Sequence, residues 1–183
     1  MKPIYLENIL EKKRERLNKE KNPSSFYEAL SKDGLSIIGE VKKASPSKGL
    51  ICENFQPEVI AGEYDSVVDA ISVLTEEDYF LGKLAYLEKI FNSTHIPLLC
   101  KDFFLEKKQI IKARASGASA ILLIVHILTD EQLKKLYDFA TLLGLDVLVE
   151  IHTKEEVKRA LRINPKIIGI NNYLYQLYQF DNY

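Results

Sequence analysis

Cysteine is scarce in this chain, with only Cys52 and Cys100 in 183 residues. Two isolated thiols build neither a disulfide framework nor a cysteine-ligated metal site, which points to a reducing, cytoplasmic setting. An excess of charge of one sign is also lacking, since 25 basic residues face 26 acidic ones and the basic ones are spread along the chain. That balance excludes the footprint of a nucleic-acid binder and offers nothing special to an anionic membrane surface. No apolar run approaches the roughly 20 residues of a membrane span. The N-terminus is charged and polar, without the apolar stretch of a signal peptide. Neither G-x-G-x-x-G, a P-loop nor a nucleophile elbow occurs, so dinucleotide binding and two common catalytic frameworks drop out. What is left is a soluble, globular, single-domain protein without membrane or nucleic-acid partners.

Within it, apolar, β-branched runs recur with amphipathic segments between them. The strand candidates are Leu35–Glu40, Ala70–Leu74, Pro97–Lys101, Ala120–Val125, Asp146–Glu150 and Ile167–Asn171. Each is nearly continuously apolar rather than alternating, as in strands covered on both faces. Thr129 with Gln132 and Thr153 with Glu156 fit capping boxes at helix starts. Gly117 and Gly144 fall where helices need a left-handed residue to stop. Spacings of about 20 to 35 residues suit βα units in a parallel sheet. Two architectures compete, an open doubly wound sheet and a (β/α)₈ barrel, and both place polar residues at the C-terminal strand ends. Before the first strand, residues 1–34 form a helical extension across the mouth or bottom of the barrel. It comprises a charged helix from Lys2 to Lys21 and a second around Phe26–Leu30, capped by Ser25 with Glu28. Residues 35–172 hold six βα units, and Tyr173–Tyr183 is a divergent tail. Six strands leave an incomplete barrel whose first and last strands expose edges for self-association.

The segment Glu40-Val41-Lys42-Lys43-Ala44-Ser45-Pro46-Ser47-Lys48-Gly49 carries the strongest chemical signal. Strand alternation places Glu40 and Lys42 on one side, with Ser-Pro-Ser-Lys-Gly as an ordered loop over them. A lone E-x-K would be a solvated strand end. Here, however, Lys101, Glu150 and Asn171 occupy equivalent places on the third, fifth and sixth strands. Two lysines, two glutamates and an amide at one concave mouth shift each other's pKa values, the setting of acid–base catalysis. Cys100 alternates with Lys101 and should face the helices. His126 and His152 read as polar strand-end residues without metal-ligand spacing. Thr75-Glu76-Glu77-Asp78 looks like a helix start. Phe80 and Phe103 fit either ordinary core or apolar walls for an aromatic substrate.

Taken together, EVKKASPSKG, AISVLTEEDYF, PLLCKDFF, AILLIV, DVLVEIH and IIGINN resemble indole-3-glycerol phosphate synthase, in order and spacing, over about residues 26–172. The resemblance implies a (β/α)₈ barrel with an N-terminal helical extension, here truncated after the sixth strand. It also implies ring closure of 1-(2-carboxyphenylamino)-1-deoxyribulose 5-phosphate with loss of carbon dioxide and water, in tryptophan biosynthesis, with no metal or organic cofactor. Lys101 would be the general acid of ring closure. Glu150 would act in dehydration, with Lys42 as partner acid or phosphate contact. Glu40 and Asn171 would orient these groups and bind substrate hydroxyls. Ser45 and Pro46 would line the site, and Phe80, Phe103, Leu122 and Ile124 would hold the anthranilate ring. The alternatives within the same family are an inactive remnant and a non-catalytic interaction subunit.

Overall fold

The computed structural model describes residues 23–171. A short helix, α1 (Phe26–Leu30), precedes strand β1 (Ile38–Val41) and an antiparallel hairpin of β2 (Ala44–Ser45) and β3 (Gly49–Leu50). Helices and strands then alternate: α2 (Pro57–Glu63), β4 (Ala70–Leu74), α3 (Leu84–Ser93), β5 (Leu98–Lys101), α4 (Lys107–Ala115) and β6 (Ala120–Ile124). A 3₁₀ turn over Val125–Ile127 leads into α5 (Asp130–Leu142), β7 (Asp146–Ile151), α6 (Lys154–Leu161) and β8 (Ile167–Ile170). The six long-range strands form one sheet in the order β1-β4-β5-β6-β7-β8, parallel throughout. Strand order never reverses, as a doubly wound sheet requires, so the barrel-type architecture is the one adopted.

Side-chain alternation sorts the sheet into two faces. Val41, Val73, Cys100, Leu123 and Val149 belong to a core shared with Leu87, Ile90, Ile110, Leu133, Leu136 and Ala160 of the helices. The opposite face carries Ala70, Leu99, Ala120, Leu148 and Ile167, packed on Phe26 and Leu30 of α1. The helices that follow β1 therefore cover one face, and the other is the concave interior of a partial (β/α)₈ barrel. Helix α1 closes the bottom of that interior. Ser25 caps it by accepting from the Glu28 amide, and the Ser25 hydroxyl and Tyr27 amide both donate to Asp146 at the start of β7. With Phe26 fully buried against the strand starts, α1 itself lies at the bottom.

Two helix ends close as Schellman motifs, as the glycines foretell. Gly144 (φ +73°) follows α5, where its N–H bonds Thr141 and that of Leu145 bonds Ala140. Gly117 (φ +96°) follows α4 with the equivalent bonds to Arg114 and Ala113.

Two expectations need correction. The first strand begins at Ile38 rather than Leu35, which is 90% exposed. Asp69 draws the preceding chain aside by accepting from the Ile37 amide and the Lys32 ammonium, so the ladder starts at Ile38 opposite Ala70. Thr75–Asp78 starts no helix, because the Glu76 carboxylate accepts the amides of Asp78, Tyr79 and Phe80 and folds a turn instead. The Ser-Pro-Ser-Lys-Gly segment is ordered as expected, as the turn of the β2–β3 hairpin closed by the Lys48 amide bonding to Ser45. The charged helix from Lys2 to Lys21 and the tail Tyr173–Tyr183 lie outside the described residues.

Candidate active site at the C-terminal strand ends

Glu40 sits on the interior face between Gly39 and Val41, whose side of the sheet faces the helices. An ideal Cβ on Gly39 would meet the Tyr64 ring at 2.8 Å, so only glycine lets that ring lie across β1. Tyr64 also donates its hydroxyl to the Glu40 carbonyl at 2.9 Å. The backbone under Glu40 is thus held from the helix side while its carboxylate points inward. One carboxylate oxygen accepts from Lys42, just beyond the strand, and the other from Lys101 at 2.6 Å. Strand β4 lies between β1 and β5, so this bond crosses two strand spacings, about 10 Å, which long side chains bridge over a concave surface. Burial pushes the Glu40 carboxyl up, but hydrogen bonds from Lys101 and Lys42 outweigh it and hold the group below its ordinary value. One carboxylate and two ammonium groups leave one net positive charge, suited to an anionic substrate.

The backbone at Lys101 is fixed by its neighbours. Thr75 donates its amide to the Lys101 carbonyl at 3.1 Å and its hydroxyl to Asp102 at 2.7 Å, and Asp102 accepts the Phe103 amide. Cys100 faces the helices as expected, fully buried, and burial pushes its thiol up to about 12. It is an inert packing residue.

Glu150 lies on the same interior face, two strands further along. Asn171 donates to its Oε1 at 3.2 Å, and the Asn171 amide bonds the Ile151 carbonyl, which carries the strand register one step past β8. His152 brings Nε2 within 3.4 Å of that same Oε1. Bonding thus joins the five predicted polar residues as two groups, Glu40 with Lys42 and Lys101, and Glu150 with Asn171. Between them, β6 presents Leu122 and Ile124, both nearly fully buried. The sheet register sets Lys101 level with Leu122, and Ile124 opposite Glu150.

The remaining predicted residues are less uniform. Phe103 is 38% exposed while Phe104 enters the helix-side core, so Phe103 is rim and not core. Phe80 is half-buried, placed by the Glu76 turn; Gly82 passes so close to the Leu74 and Glu76 carbonyls that a Cβ there would lie within 2.8 Å of both. Ser45 is buried, and Pro46 is exposed on the hairpin.

Sequence reasoning missed Tyr64, Thr75 and the pairing of His126 and His152 through Glu156. Glu156 accepts from His126 Nδ1 at 3.0 Å and from the His152 amide at 2.7 Å. A signal for it existed, because Glu156 is the third residue after the cap Thr153 and can reach back over the chain entering the helix. Among the described residues, no three ligand-type side chains converge to hold a metal ion.

Comparison with known proteins sets this geometry in a family. The family model described as indole-3-glycerol phosphate synthase matches residues 5–181. Indole-3-glycerol phosphate synthase of Lachnospira eligens is 49% identical over 157 residues, covering 86% of this chain and 59% of the relative. The Acetivibrio thermocellus protein of the same name is 50% identical over 161 residues (87% and 62%), and that of Aliarcobacter butzleri 48% over 174 (94% and 66%). The chain thus spans roughly three-fifths of the length of these curated relatives. Among solved structures, the fold is similar to dihydrodipicolinate synthase from Agrobacterium tumefaciens (TM-score 0.50, 15% identity, 73% of this chain and 53% of that one). It is also similar to the carboxyl transferase domain of Rhizobium etli pyruvate carboxylase (TM-score 0.54, 12% identity, 73% and 27%).

Proposed function

We propose that this chain, which belongs to the indole-3-glycerol phosphate synthase family, carries the acid–base residues of that synthase reaction. The observation behind the proposal is Glu40 holding Lys101 and Lys42 on the interior face, beside the apolar side chains of β6. The substrate is 1-(2-carboxyphenylamino)-1-deoxyribulose 5-phosphate, a phosphorylated small molecule whose anionic groups suit the net positive cluster. Its anthranilate ring packs on Leu122 and Ile124, with Phe103 and Phe80 as rim walls and Ser45 and Pro46 beside them. As the ring carbon attacks the ribulose carbonyl, Lys101 gives a proton to the oxygen, which becomes a hydroxyl. Carbon dioxide leaves from the attacking carbon and its bonding electrons return to the ring. The new hydroxyl departs as water with a proton from Lys42, while Glu150 takes the proton released as the indole forms. Glu40 orients the two ammonium groups, and Asn171 orients Glu150 and a substrate hydroxyl. On this reading the chain acts in tryptophan biosynthesis, as a carboxy-lyase of the cytoplasm. Among the described residues no helix is long and apolar enough to cross a membrane. An inert remnant, or a subunit used only for interaction, gives no reason for two lysines to be held by one glutamate on that face.

We also propose self-association through the outer strands β1 and β8, each of which has one strand neighbour among the described residues.

The synthase reading is tested by following the fluorescence of indole-3-glycerol phosphate formed by the purified chain. Product is expected from the wild type, with a loss on the order of a hundredfold or more in Lys101→Ala. A wild type without turnover would favour the non-catalytic alternatives, and activity surviving in Lys101→Ala would remove Lys101 from the acid's role.

A further inference from the structure

Behind Glu150 runs a line of ionisable groups that the reaction above does not use. His152 stands between two carboxylates, with Nε2 3.4 Å from Glu150 Oε1 and Nδ1 3.4 Å from Glu156 Oε2. The His152 and Glu156 side chains are 13% and 7% exposed, which sets them apart from a surface ion pair. Glu156 is fixed independently of the ring, by the His152 amide at 2.7 Å, by His126 Nδ1 at 3.0 Å and by its own place in the capped first turn of α6. His126 approaches His152 edge to face, with centroids 6.3 Å apart.

We propose that His152 is a positioning residue for Glu150, its ring held between that carboxylate and Glu156. The inference rests on Glu150 serving as the base of the synthase reaction. Burial pushes the Glu156 carboxyl up, but the His152 amide and His126 outweigh it and hold the group below its ordinary value, so it stays ionised. An ionised carboxylate only accepts hydrogen bonds. The ring nitrogen facing it, His152 Nδ1, lies 3.4 Å from Glu156 Oε2, in ion-pair reach without a hydrogen bond of good angle. Nε2 on the other side of the ring reaches Glu150 Oε1, the oxygen that also accepts from Asn171. Glu150 Oε2 is left as the oxygen turned to substrate. A carboxylate oriented by a histidine that is itself oriented by a second carboxylate follows the usual logic of supported catalytic groups.

Two measurements test this. In steady-state assays, His152→Ala should lower kcat by on the order of tenfold or more with KM nearly unchanged, and His152→Gln, whose amide N–H can still donate to Glu150, should restore part of the loss. In urea unfolding, His152→Ala and Glu150→Ala, alone and combined, should shift the midpoint non-additively, because the two side chains interact directly. A kcat unaltered in both His152 variants, or midpoint shifts that simply add, would overturn the proposal. The unfolding cycle needs no turnover, so it separates failure of this positioning role from failure of the synthase reading. Where His152→Ala does not fold, His152→Phe, which keeps a ring without nitrogens, carries both measurements.

Discussion

Glu40 accepts from two ammonium groups, and its carboxyl is held below the ordinary carboxylate range because those bonds outweigh burial. A carboxyl with a depressed folded-state pKa stabilises the fold above its unfolded-state value. That stabilisation is lost as pH falls through the lowered value. Glu40→Gln removes the charge at every pH. The stability gap between wild type and Glu40→Gln, read from urea unfolding, should therefore be widest near neutrality and close as the solution is acidified. A gap that stays constant across that range would show that the two lysines do not hold the Glu40 charge. Side-chain identity at this scale also explains why Cys100, next to Lys101, takes no part: alternation sends it into the helix-side core.

Several helices are bounded by local devices, and the devices differ in what they tolerate. Gly117 and Gly144 both adopt positive φ to end α4 and α5. At Gly144 nothing lies within 4 Å of an added Cβ, whereas at Gly117 that atom would fall 2.3 Å from Phe91 Cγ. Gly144→Ala should then lose about 1–2 kcal/mol, the backbone penalty alone. Gly117→Ala must add displacement of the Phe91 ring, for a loss of about 2–4 kcal/mol in all. Denaturant unfolding of the two variants decides it, and equal losses would mean that Phe91 moves aside freely. Capping shows the same economy of parts. Thr129 and Gln132 form the full reciprocal box, whereas Glu156 turns its carboxylate to the His152 amide and thereby joins a helix start to the site.

Across the molecule, one sheet separates two unequal cores. The helix-side core is extensive, and the interior core is small and stoppered by Phe26 of α1. The outer strands differ from the central ones. Ile168 and Ile170 on the helix-facing side of β8 are 37% and 75% exposed, whereas Val147, Val149 and Ile151 of β7 are buried. Among the described residues β1 and β8 each have one strand neighbour, and an edge of that kind offers N–H and C=O groups to another chain. Light scattering coupled to size exclusion should accordingly give a mass above that of one chain, rising with concentration. A single monomeric mass that is independent of concentration would refute pairing through β1 or β8.

Much of this organisation was legible in the residues. Ala70–Leu74 coincides with its strand, four others agree to within a residue at either end, and the glycine stops and threonine caps fall in place. These features depend on local periodicity and backbone conformation, which short stretches of sequence specify. The first strand was misplaced because Asp69, some thirty residues away, ties down its approach. The turn at Glu76 was misread because a carboxylate that could favour a helix start instead gathers three amides.

By itself, the sequence determined the alternating elements, the parallel sheet and the placing of five polar residues at strand ends, since each follows from period and type. Only the tertiary structure decided which carboxylate meets which cation. Glu40 reaches Lys101 because the sheet curls over β4, and His152 lies between two glutamates because α6 folds back on β7. Those are distances between remote segments, fixed by packing and invisible to any local pattern.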